Sequence, residues 1–146
     1  MGARARAQEV EAQSRLNTAI KTAEVYYSEE QTFAGLRNSG YGAIQNVGVT
    51  ALRAVDPAVS FTSGALNAVT TQLVDGRIDW AINNTDGGQM LTLWTPSLSG
   101  TWYCAVLVKQ PTARWGGNPG GTVKGQSDRR SRVDTANECF IRGVGW

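Results

Sequence analysis

The chain has no histidine. That removes Ser–His–Asp and Cys–His nucleophiles, histidine general acid–base work and most zinc sites. Paired carboxylates remain for hydrolysis, and Asp75 with Asp79 or Asp86 are the obvious pairs. Asp75 and Asp86 each precede a glycine in a turn pattern, where an aspartate bonds its own backbone. They read as turn formers, and no catalytic residue is expected. The glycine run at 116–121, GGNPGG, lacks the Gly-Lys-Ser/Thr ending and the strand-to-helix setting of a phosphate loop, so it reads as a flexible loop. Asp128, Asp134 and Glu138 offer the hard oxygen atoms that calcium takes. Arg129, Arg130 and Arg132 lie among them and oppose a dication, so no metal or other cofactor is expected. Lys124, Arg129, Arg130 and Arg132, with Arg114 and Trp115 nearby, form the candidate contact for nucleic acid or another ligand, through phosphate neutralisation and stacking. The competing reading is a solvated loop balanced by Asp128 and Asp134.

Two cysteines, Cys104 and Cys139, complete the reactive inventory. They are either a disulfide or two buried free thiols. Cys139 stands in a polar segment (RVDTANECFIRG) with little core for a lone thiol, which favours the bond. A disulfide here closes a loop of roughly 35 residues, adds about 3–4 kcal/mol in the chain-entropy model, and implies an oxidising compartment.

These residues need a scaffold, and 146 residues suffice for one domain with a real core. The 14 Lys+Arg against 12 Asp+Glu leave the chain near neutrality, so nothing global calls for a nucleic acid or an acidic membrane. Residues 2–33 contain no glycine or proline after Gly2. Val10, Leu16, Ile20 and Tyr27, with Ala12, Ala19 and Ala23, recur at helical spacing and predict one long helix with an apolar stripe. Residues 34–64 predict a connecting loop with a short helix over 47–59, broken at Asp56-Pro57. The period then falls to two. Strands are expected at 66–74, 77–83, 90–95 and 101–109, joined by turns at Asp75-Gly76, Asp86-Gly87-Gly88 and 96–100. Ile78, Trp80 and Ile82 share one face, expected to dock against Leu16, Ala19, Ile20, Ala23 and Tyr27 of the helix, with Trp94 and Trp102 in the same core. Residues 110–146 read as a long loop region bounded by the cysteines. Trp115 and Trp146, outside strands, are candidates for subunit contacts or adhesion.

The segment GARARAQEVEAQSRLNTAIKTAEVYYSEEQTFAGL resembles the second half of the spine helix of type IV pilins and of the pseudopilins of type II secretion. YYSEEQTFAG is similar to the place where many pilins leave that helix. The resemblance covers the whole chain, with its specificity in the helix end. It implies an α+β fold: a long N-terminal helix packed on an antiparallel four-stranded meander, with a disulfide-closed C-terminal loop. It further implies a non-enzymatic filament subunit at the cell surface that self-assembles through the helix, with the exposed part of Val10 to Arg15 touching neighbouring copies. Its partners would be the pilus assembly machinery and inner-membrane platform, and possible DNA or surface ligands. The basic start, Ala3-Arg4-Ala5-Arg6, is similar to the flank of a hydrophobic anchor, so an apolar half-helix that holds the precursor in the membrane is expected ahead of it. A major pseudopilin, and a minor pilin using the arginine-rich loop, are the alternatives.

Overall fold

A computed structural model describes residues 2–36, 46–59, 61, 79–83, 89–110, 121–128, 139 and 146, with the backbone alone at 46, 47 and 79–83. Helix α1, Ala3–Glu30, runs for 28 residues, about 42 Å. Gln31 ends it by entering the left-handed region (φ 59°), with its N–H on the Tyr27 carbonyl at 2.7 Å. Its side-chain amide also donates to the carbonyls of Tyr27 and Ser28, at 3.3 and 3.0 Å, so one residue satisfies the orphaned end. A 3₁₀ turn at Ala34–Leu36 follows. Helix α2, Asn46–Val55, buries Val49 and Leu52, and Asp56-Pro57 stops it as the sequence predicts.

The buried face of α1 is Ala12, Leu16, Ala19, Thr22, Ala23 and Tyr26. Ile20 and Tyr27 are partly buried at its margin and pack on the core. Small residues at Ala12, Ala19 and Ala23 let the helix backbone approach the sheet. Val10 does not belong to this face. It precedes Ala12 by two positions, about 200° round the helix, and is 63 % exposed.

Four antiparallel strands pair in sequence order: β1 Asp79–Asn83, β2 Met90–Pro96, β3 Trp102–Val108 and β4 Gly121–Ser127. β1 to β3 correspond to three expected strands, and the expected strand 66–74 lies outside the described residues, as does Ile78. β4 corrects the expectation of a loop throughout 110–146. Its sequence, GTVKGQS, carries one β-branched apolar residue, and it is held by the ladder of β3, with Val106 opposite Val123 and Cys104 opposite Gly125. Pairing with a neighbouring strand overrides weak intrinsic preference. Gly100, at φ 98°, makes the turn between β2 and β3, closed by Ser97 N–H to Thr101 O at 2.8 Å.

Every residue of β2 and β3 is buried, so the middle of the sheet is covered on both faces, while β4 is largely open to solvent. Leu91, Leu93, Tyr103, Ala105 and Leu107 face α1. Met90, Trp94, Trp102, Cys104, Val106 and Val108 face away and form a second core with Cys139. Trp94 and Trp102 therefore do not sit under the helix. Strand alternation sends them to the other side, where the Cys104–Cys139 disulfide is buried with them. Trp80 and Ile82 pair with Leu93 and Leu91, the helix-facing positions of β2.

Candidate functional site

Polar ties lock α1 to the sheet at both ends. Near its start, Ser99 and Thr101 donate to Glu9 Oε1 at 3.3 and 3.2 Å. The Arg15 guanidinium bonds Thr95 Oγ1 at 3.2 Å and the Pro96 carbonyl at 2.8 Å. Arg15 is thus turned toward β2 and is not part of the exposed surface of 10–15. Near the end, Lys109 pairs with Glu24 and lies 5.1 Å from the Tyr27 ring centroid. The Tyr27 hydroxyl donates to Gln89 Oε1, and Gln89 Nε2 donates to the Gln31 carbonyl at 3.2 Å. Between these ends Lys124 donates to Asn17 Oδ1 at 3.0 Å.

Two buried phenols bracket the same seam. Burial pushes the Tyr26 hydroxyl above its ordinary pKa, and the nearby Glu30 charge adds to the rise. Burial also raises Tyr103, with Glu9 adding to it, while hydrogen bonds with Gln13 and Thr101 pull it down.

Lys124, expected in a basic ligand loop, is instead a strand residue under α1. Besides Asn17 it has the Trp146 ring 4.4 Å away, so its charge is engaged within the fold. Trp146 corrects a second expectation. It packs edge-on to Tyr103 at 5.6 Å and its indole donates to the Cys104 carbonyl at 3.2 Å, on the α1 side of the sheet. Arg129, Arg130, Arg132 and Trp115 lie outside the described residues. So do Asp134 and Glu138. Asp128 is exposed and takes a 3.4 Å hydrogen bond from Ser127. Among the described residues no group of three acidic, histidine or cysteine side chains converges to hold a metal.

What the fold leaves open is the outer face of α1. Ala3, Ala7, Val10, Ser14, Thr18, Lys21, Val25 and Ser28 are exposed there at three- and four-residue steps. Val10 and Val25 are two of the three exposed large apolar side chains among the described residues. Helical spacing placed Val10 on the other, apolar stripe, and nothing local revealed the ties to residues 89–109, whose partners stand 58 to 92 positions away in sequence.

No family model matches the chain, and no curated protein or solved structure matches it either. No helix of the described residues is long and apolar enough to cross a membrane. α1 is thus fixed to the sheet on one side and presents small residues, Lys21 and two exposed valines on the other.

Proposed function

We propose that this chain is the folded head of a structural subunit of a type IV pilus or pilus-like filament, non-enzymatic and displayed at the cell surface. The observation that carries the reading is the helix itself. α1 is fixed to the sheet along one face by an apolar seam and by ties at both ends, and its opposite face is free from Ala3 to Ser28. A rod anchored this way suits repeated side-by-side contacts between copies, and heterologous contacts that do not close extend without limit. Central strands buried on both faces and a buried disulfide suit a head exposed to an oxidising exterior. The resemblance of residues 2–36 to the pilin spine adds the assembly machinery as partner and an apolar segment ahead of the head as membrane anchor of the precursor.

The test is expression of the complete reading frame in the source cells, with sheared surface fractions viewed by negative-stain electron microscopy. Filaments that contain this chain are expected, and Val10→Glu is expected to abolish them while the purified head keeps its melting temperature. Filaments unaffected by Val10→Glu, or a surface fraction without the chain, would overturn the reading.

A further inference from the structure

The charges at the two ends of α1 run against its own dipole. A helix favours acids in its first turn and bases in its last. α1 has no acid in the first turn and no base in the last. Arg4 and Arg6 open it and Glu29 and Glu30 close it, all exposed and none ion-paired among the described residues. Within one copy this arrangement is unfavourable at both ends. Between two copies laid end for end it is complementary.

The apolar residues fit the same operation. Reversing a second helix so that residue i meets residue 35 − i places Val10 opposite Val25, Ala7 opposite Ser28, and Lys21 opposite Ser14. Val10 and Val25 are then covered by each other, twice by symmetry. In this register Arg4 falls two residues, about 3 Å, from the level of Glu29. The two are 25 positions apart, which at about 100° per residue sets them within about 20° of one another round the helix. Like flanks meet in an antiparallel two-fold pair, so Arg4 of each copy meets Glu29 of the other. A parallel pair in register instead sets the arginine end beside the arginine end and the glutamate end beside the glutamate end. A parallel pair shifted far enough to match the charges overlaps only at its ends.

We propose that α1 pairs with α1 of a second copy of this chain in an antiparallel, two-fold arrangement, closed by Val10–Val25 contacts and Arg4–Glu29 ion pairs. The pair is isologous and does not propagate. It rests on the exposed charges and valines and not on the filament reading, and it competes with filament contacts on the same face: a head held in the closed pair enters an open assembly only once the pair has parted.

Sedimentation velocity on the chain at rising concentration is expected to show a shift toward twice the monomer mass at low salt. The shift should largely vanish near 1 M salt, where the Debye length falls to about 3 Å. Arg4→Glu and Glu29→Arg are each expected to weaken the dimer about ten-fold, since each change acts twice in the pair. The double swap is expected to restore it. Each single swap also corrects an end charge and raises the melting temperature, so a purely structural role predicts no loss of dimer. For geometry, Val10→Cys protein mixed with Val25→Cys protein should cross-link to each other under mild oxidation and not to themselves. A monomer at all concentrations, swaps without effect, or 10–10 and 25–25 cross-links would overturn the proposal.

Discussion

Replacing Cys104 and Cys139 together by alanine should be the most costly conservative change in this fold. The bond spans a sequence separation of 35. Chain entropy gives −2.1 − 1.5R ln n cal/mol/K, so n = 35 yields about −12.7 cal/mol/K, or about 3.8 kcal/mol at 25 °C. Unfolding entropy of about 2.1 cal/mol/K per residue over 146 residues is about 0.3 kcal/mol/K, which converts that loss to a melting shift of roughly 12 °C. Both cysteines are fully buried beside Trp94 and Trp102, so the lost sulfur contacts add to the loss. The assay is thermal unfolding by circular dichroism of the native chain, the double variant, and the native chain reduced while unfolded and then refolded. Reductant added to the folded protein should act only as fast as the protein opens, because neither sulfur is accessible. A shift below about 4 °C, or rapid reduction of the folded chain, would refute the reasoning.

Ala19→Leu should cost about 1–3 kcal/mol in chemical denaturation, because the residue is fully buried where α1 approaches the sheet and the extra atoms have no room. A Cβ at Gly35 would stand 2.8 Å from the Tyr26 hydroxyl, so Gly35→Ala should destabilise the native chain but be close to neutral in a Tyr26→Phe background. A double-mutant cycle with coupling of about 1 kcal/mol is the expected result. Tyr26 and Tyr103 have raised pKa values in the folded state, so the unfolded chain loses those protons first. Stability should therefore be level below about pH 10 and fall as pH climbs through the raised values, as read by urea unfolding alongside phenolate absorbance.

The long helix was legible because its period is set by residues that neighbour one another in sequence. Leu16, Ala19 and Ala23 were found on the buried face, β1 and β3 lie within the expected strands, and β2 runs one residue past its expected end at 95. Tyr26 was missed in favour of Tyr27, since adjacent tyrosines sit about 100° apart and both border the stripe. The second core could have been read: MLTLWTP and WYCAVLV are nearly continuous apolar runs, which mark strands buried on both faces. β4 had no such signal. Its glycines and polar residues acquire strand geometry only beside β3, and Lys124 looks like a surface charge until Asn17 and Trp146 are folded against it. Helical spacing alone grouped Val10 with Leu16, and the match of Val10 with Val25 emerges only once the buried face fixes which side is free.

The Cys104–Cys139 bond also sets how the molecule would answer to tension. Pulled between Ala3 and Trp146, the chain passes its force across the sulfur–sulfur link, and everything between the two cysteines is bypassed. β4 and β3 from Ala105 onward lie in that sheltered length. Cys139 then grips the sheet from one face and Trp146 from the other, so stretching must first strip an indole from the Tyr103 ring and the Cys104 carbonyl. An oxidised head can pay out only the chain outside the bond, whereas a reduced one gains the sheltered length between the cysteines, a sequence separation of 35.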